Sequence, residues 1–344
     1  VNRSLVPPIA YRPSRWLPGG HLQTLYAALL CPKPSVRLQR TRWDTPDGDF
    51  VDLDWLDAPG TGPLIVLFHG LEGCSRSHYA QALLFEAERW GWRGVVAHFR
   101  GCSGELNQRP RAYHSGDTEH VDWVLHRLKN QEPGAPLFAV GVSLGGNALL
   151  KWLGERGPSA RSVVQAAAAA SVPFDLAAAG RRLAKGFNRV YTHHFLRSLK
   201  RKSLEKLERF PGLYPADRVR RARTFEAFDD VVTAPLHGFR DADDYWARAS
   251  SKPHLARIAV PTLIVHARDD PFLPQWAVPR PAEVSPAVTL EVLATGGHAG
   301  FVCGPFPGHL QWLPRRMLGF FAGHAPVEPA GRVGVTSRED APLP

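Results

Sequence analysis

Cysteine is scarce in this chain: Cys31, Cys74, Cys102 and Cys303 stand far apart in 344 residues. With no CxxC pair and no Cys/His cluster, neither a disulfide framework nor a zinc site is expected, and a reducing compartment fits. Continuous apolar runs are missing as well. Residues 133–150 and 292–314 carry no charge, yet Gly, Pro, His and Asn interrupt both. They read as strands and turns, not as bilayer spans. The first twenty residues contain no apolar core of signal-peptide length. These absences predict a soluble, cytoplasmic protein that needs no metal and no other cofactor.

Lysine is the other shortage. Arginine supplies most of the 42 Lys and Arg, which outnumber 32 acidic residues for a formal charge of +10. The excess is local, since residues 181–223 hold 14 Arg and Lys against Glu205, Glu208 and Asp217. With 44% apolar and 22% charged residues, the chain as a whole has ordinary globular composition.

Short apolar runs bounded by Gly or Pro alternate with helical patterns, which predicts an α/β fold with a mostly parallel central sheet and helices on both faces. An antiparallel hairpin is expected from Val36–Thr41 and Phe50–Trp55. Further strands are expected at Pro63–Phe68, Gly94–Phe99, Pro136–Val142, Ser162–Ala169, Thr262–Ala267 and Val288–Leu293. Val121, Val124, Leu125 and Leu128 have helical spacing within Asp117–Asn130. Helices are also expected around Leu144–Gly154 and His309–Gly323. About 80 residues between the strands at 162–169 and 262–267 break this rhythm. The division predicted is an N-terminal extension (1–35), an α/β core (36–176 and 260–323), a helical cap (177–259) and a loose tail (324–344). An insertion at that point sits over the carboxyl ends of the strands, where open α/β sheets bind ligands.

The strongest chemical signal is Gly141-Val142-Ser143-Leu144-Gly145-Gly146, between a predicted buried strand and a predicted helix. A serine on a tight strand-to-helix turn needs neighbours two residues away that are nearly free of side chain. Such a turn exposes the hydroxyl and aims the Leu144 N–H at a reacting oxygen. A lone serine is a poor nucleophile and needs a base and an orienting acid, here in the chain order Ser, Asp or Glu, His. Asp269 and Asp270 both follow the strand at 262–267. Asp270 is preferred because Pro271 fixes the turn after it, leaving Asp269 as a turn-capping neighbour. Asp175 is a third candidate, better read as a helix N-cap. For the base, His298 has the order and the glycine frame Gly296-Gly297-His298-Ala299-Gly300, 28 residues after Asp270. The loop His69-Gly70-Leu71-Glu72-Gly73 follows the strand at 63–68 and offers the Leu71 N–H as a second oxyanion donor. His69 is expected to brace that loop. Glu72 precedes the serine and has no evident histidine partner.

These segments resemble the YheT-like α/β-hydrolases, a family of predicted esterases. The matching stretches are His21-Leu22-Gln23-Thr24, HGLEGCSRSHY (69–79), FRGCSGELN (99–107), GVSLGGN (141–147), FDDVVTAPLHGF (228–239), DDPF (269–272) and GGHAGF (296–301). They run from near the N-terminus to beyond the histidine, so the resemblance covers roughly residues 10–323. The resemblance implies an α/β-hydrolase fold and a carboxyl-ester hydrolase with Ser143, Asp270 and His298 as its triad. Its relatives include lipid-directed esterases, phospholipases and acyltransferases. The pattern departs at Cys74 and His98, where the family carries Ser and Asn, and neither position holds the triad.

Three functions follow from these residues. One is hydrolysis of a hydrophobic, short- or medium-chain or lipid ester through an acyl-enzyme. A second is transfer of the same acyl group to an alcohol. The third is a non-catalytic fold that binds lipid, against which the complete Ser-Asp-His order argues. The basic segment 181–223 reads either as a solvated arginine-rich helix or as a peripheral contact with an anionic membrane, with Phe187, Val190, Phe195, Leu196 and Leu199 at the interface. Nucleic acid is not expected, because charge alone favours it and no binding motif accompanies the charge.

Overall fold

The computed structural model of the protein describes residues 10–57 and 62–325. Residues 1–9 of the expected extension and nearly all of the expected loose tail lie outside the described residues. Eight strands form one sheet: β1 (Leu38–Asp44), β2 (Phe50–Leu56), β3 (Leu64–Phe68), β4 (Arg93–Ala97), β5 (Leu137–Val142), β6 (Ala166–Ala170), β7 (Thr262–Ala267) and β8 (Val288–Leu293). Their order is β1-β2-β4-β3-β5-β6-β7-β8. The β1–β2 and β2–β4 pairs are antiparallel, and the remaining pairs are parallel.

Alternation along the strands builds two cores. Leu64, Val66 and Phe68 of β3 face one side, where they meet Val121, Val124 and Leu125. Ile65 and Leu67 face the other, against Leu83, Leu84, Leu318 and Phe321. The helices supplying these side chains follow from the same arithmetic. They are α2 (His78–Arg89), α3 (Thr118–Gln131) and Trp312–His324, the last helix of the described residues; α1 (Gly20–Leu29) precedes the sheet and α4 (Leu144–Arg156) follows β5. Asp117 caps α3 by accepting from the His120 N–H, and its apolar positions at helical spacing are all buried.

Of the expected boundaries that move, two have a plain local cause. β6 begins at Ala166, not Ser162, because Pro158 opens a 3-10 turn over Gly157–Ser162 and the Val163 and Val164 N–H groups close on Ala160 O. Five alanines with little strand propensity are then held extended by β5 on one edge and β7 on the other. The last helix begins at Trp312, not His309, because His309 and Cys303 exchange backbone hydrogen bonds at 2.9 and 3.0 Å.

Between β6 and β7 every regular element is helical. The longer ones are α5 (Leu176–Leu183), α6 (Arg189–Arg209), α7 (Ala216–Arg221) and the helix Ala242–Ala249, with a π-helical turn at Asp229–Thr233. They share an apolar cluster that includes Leu183, Leu196, Phe225 and Trp246, and Phe272 joins it from the core. The basic segment is not all surface. Arg197 and Arg201 are exposed, but Lys202 reaches Glu72 Oε1 at 2.8 Å. Lys206 is buried and donates to Asn107 Oδ1, Arg109 O and Arg111 O. The interface expected along Phe187–Leu199 shortens likewise. Phe187 and Val190 are each 53% exposed, whereas Leu196 packs inward and Phe195 and Leu199 line a cavity.

Candidate active site

Ser143 sits at the junction of β5 and α4 with φ 55° and ψ −120°, a strained conformation for a residue with a side chain. The glycines around it are required by space. A Cβ on Gly141 would lie 2.6 Å from Gly145 O, and one on Gly145 would collide with the Phe68 carbonyl. The turn is held by Ser143 N–H to Ala170 O at 2.9 Å and Asn147 N–H to Ser143 O at 3.0 Å. As the first residue of α4, Leu144 has an N–H without an intrahelical acceptor.

The other expected residues converge on this turn. His298 Nε2 lies 2.9 Å from Ser143 Oγ, and Nδ1 lies 2.9 Å from Asp270 Oδ2. The carboxylate fixes the Nδ1–H tautomer, which leaves the Nε2 lone pair for the serine proton. Asp270 is buried and takes a further 2.8 Å bond from the Phe272 N–H. Asp269 does not meet the imidazole: its Oδ1 accepts from Gly297 N–H at 2.9 Å, holding the loop that carries His298. Asp175 accepts from Ala178 N–H at 2.9 Å and caps α5.

The loop after β3 passes close to the serine, since a Cβ on Gly70 would lie 3.1 Å from Ser143 Cβ. Tyr79 Oη accepts from Gly70 N–H and Tyr113 Oη from Glu72 N–H, both at 2.9 Å. Those bonds flank Leu71, which lines the same cavity as Ser143, Leu144 and His298. His69 accepts from Phe99 N–H at Nε2 and lies 2.8 Å from Gly70 O at Nδ1. Burial lowers its pKa to about 3, so it stays neutral and bridges the ends of β3 and β4. Glu72 meets no histidine; its carboxylate takes Tyr113 Oη at 2.8 Å, Lys202 Nζ at 2.8 Å and Ser198 Oγ.

Several contacts around the histidine were not read from the sequence. Thr24 of α1 accepts the His298 N–H through Oγ1 at 2.8 Å, and Gln23 Oε1 accepts from Val302 N–H at 3.0 Å. The sequence signal for this brace is the matching stretch His21-Leu22-Gln23-Thr24, whose Gln23 and Thr24 side chains are buried. Phe272 stacks on the His298 ring, with centroids 3.9 Å apart and planes 22° from parallel. His98 and Cys74 take no part in this geometry: His98 Nε2 lies 2.8 Å from Asp54 in β2.

A largely apolar cavity of about 160 Å³ opens from the serine and histidine. Its walls come from residues that follow β3 through β8 and from the helical segment, with Leu71, Leu106, Leu176, Phe195, Phe225 and Phe272 among them. A cavity of that size accommodates an apolar group of roughly six carbons, as an engineered cavity of similar volume takes benzene. Among the described residues, no group of His, Cys, Asp and Glu is arranged to hold a metal ion. None of their helices is long and apolar enough to cross a membrane.

A family model described as the alpha/beta hydrolase fold matches residues 63–305. The chain is 42% identical over 310 residues to the putative esterase YheT of Escherichia coli, covering 89% of this chain and 91% of that protein. It is 33% identical to the phospholipase ABHD3 of Mus musculus, covering 89% and 76%. Among solved structures, the esterase Pf2001 of Pyrococcus furiosus superposes with a TM-score of 0.51 at 15% identity, covering 84% of this chain and 93% of that one. That last likeness concerns the fold alone.

Proposed function

The chain belongs to the α/β-hydrolase family, and from that premise we propose that it is a serine carboxyl-ester hydrolase acting on esters with a hydrophobic acyl group. The observation that carries this reading is the continuous hydrogen-bonded line from Ser143 Oγ through the His298 ring to Asp270. In the proposed reaction Ser143 Oγ attacks the ester carbonyl carbon as His298 Nε2 takes its proton. The oxyanion forms beside the Leu71 and Leu144 N–H groups, each of which supplies about 3 kcal/mol if it behaves as a typical donor. The tetrahedral species collapses, the carbon–oxygen bond to the alcohol breaks, and His298 gives the leaving oxygen its proton. Water, deprotonated by His298, then attacks the acyl-enzyme and releases the acid and Ser143. Asp270 keeps the imidazole in the required tautomer throughout. The apolar cavity beside the serine supports an acyl chain of short or medium length.

The helical segment 177–259 is proposed as a cap over this cavity. Exposed Lys185, Arg189, Arg197 and Arg201, with Phe187 and Val190, support a peripheral contact with anionic lipid.

The test is hydrolysis of p-nitrophenyl esters from acetate to palmitate, wild type beside Ser143→Ala, with the products identified. Turnover that peaks at short or medium chains and vanishes in Ser143→Ala is expected. Turnover that survives that substitution overturns the assignment of the nucleophile.

A further inference from the structure

The segment Phe228–Phe239, part of the family resemblance, has no role in the reaction above, yet much of it lines the cavity. Its π-helical turn is a kind of distortion that recurs at functional sites. Asp229 anchors the turn, taking Thr233 Oγ1 at 2.6 Å and Trp246 Nε1 at 2.9 Å. The turn delivers His237 to the cavity wall, where its Nε2 is buried with no hydrogen-bond partner among the described residues. A buried polar atom of that kind is normally satisfied by protein, water or ligand.

His114 stands beside it on the same wall, with ring centroids 4.4 Å apart. Gly116 N–H donates to His114 Nδ1 at 3.2 Å, so His114 carries its proton on Nε2. Burial lowers the pKa of both rings, that of His237 to about 3, and keeps them neutral. The nearest charges offset each other, since Arg111 is paired with Asp117 at 2.7 Å. The cations that also line the cavity are engaged: Arg100 pairs with Asp49, Lys202 with Glu72, and Lys206 gives its three donors to Asn107, Arg109 O and Arg111 O, so the polar atoms left at this wall are two neutral ring nitrogens. They match a group that donates and accepts at one atom, which is a hydroxyl.

The geometry points to a second recognition point in the cavity: His114 and His237 bind a hydroxyl of the substrate, so the preferred ester carries a free hydroxyl away from the scissile bond. This inference rests on ester hydrolysis at Ser143. The hydroxyl belongs either to the acyl chain or to the alcohol, and the two sources are separable by matched substrates.

The experiment compares kcat/KM within two pairs. One pair is p-nitrophenyl 6-hydroxyhexanoate and p-nitrophenyl hexanoate; the other is glycerol monohexanoate and propyl hexanoate. In the wild type, one pair should favour its hydroxylated member about tenfold, the scale of one net neutral hydrogen bond. That ratio should fall toward one in His237→Phe and in His114→Phe. A ratio at or below one in both pairs overturns the inference, and this wild-type result needs no variant to fold. A preference that persists in a folded His237→Phe and a folded His114→Phe also overturns it. Failure of the reaction itself looks different: there the plain esters go unhydrolysed, or their turnover survives Ser143→Ala.

Discussion

Lys202 on α6 donates to Glu72 Oε1 at 2.8 Å, tying the helical segment to the loop that presents Leu71. Glu72 adopts φ 53° and its side chain is 9% exposed, so its carboxylate depends on the partners it has. Tyr113 adds a bond to each end of the residue, accepting from its N–H and donating to Oε1. A single buried network therefore sets both the position of the Leu71 amide and the seat of α6.

Removing the cation should show in the chemical step. Lys202→Met keeps the aliphatic stem but strands a mostly buried carboxylate, so the Leu71 loop should shift. We expect kcat on a small soluble ester to fall on the order of tenfold to a hundredfold, with KM changed much less. Steady-state kinetics check this; an unchanged kcat would mean the loop holds its place without the ion pair.

The two neighbouring aspartates should separate by role. Asp270→Asn misdirects the imidazole tautomer and should lower kcat by about four orders of magnitude. Asp269→Asn removes only an acceptor for Gly297 N–H and should cost far less. If the two variants exchanged rank, the acid would be the neighbour.

Stability should fall on the acid side of neutrality. Burial of the His69 and His120 rings, and partial burial of those of His78 and His237, lowers their pKa to about 3 to 4 from 6.5. Unfolded chains take up protons below pH 6.5 that these folded rings refuse. Stability is thus fully present above 6.5 and is lost as pH falls toward 4, at up to ~1.4 kcal/mol per histidine per pH unit. Asp229, raised by burial to about 7, acts in the opposite direction over the same range. Urea midpoints at pH 7.5 and 5.0 test the balance, and the lower pH should give the clearly lower midpoint.

Vesicle binding tests the basic face. Association with phosphatidylglycerol vesicles should be clear at 0.01 M salt and fade by 0.15 M, as the screening length drops from ~30 Å to ~8 Å. Charge reversal at Lys185, Arg189, Arg197 and Arg201 should abolish it and leave hydrolysis of a small soluble ester intact. Lys202 and Lys206 are unsuitable for that test because both point inward. Equal binding to neutral and anionic vesicles would assign these cations to ordinary solvated surface.

By itself the sequence determined whatever depends on neighbours along the chain. The PLIVLF and TLIVHA runs specify buried strands. The spacing of Gly141, Ser143 and Gly145 specifies a turn that no larger side chains fit. Gly297 and Gly300 leave His298 on a loop that α1 approaches closely. Local steric demand is written in residue type, so these features were legible. Pro271 already favoured Asp270 over Asp269 in the sequence, and the tertiary structure set the contacts, turning Asp270 to the histidine and Asp269 to the Gly297 N–H. It turned Lys202 and Lys206 inward, since α6 lies against the loops after β3 and β4. It also brought Thr24, Phe272 and His298 together from three distant segments. Each of those contacts joins residues that share no periodicity, and only packing in three dimensions selects the partner.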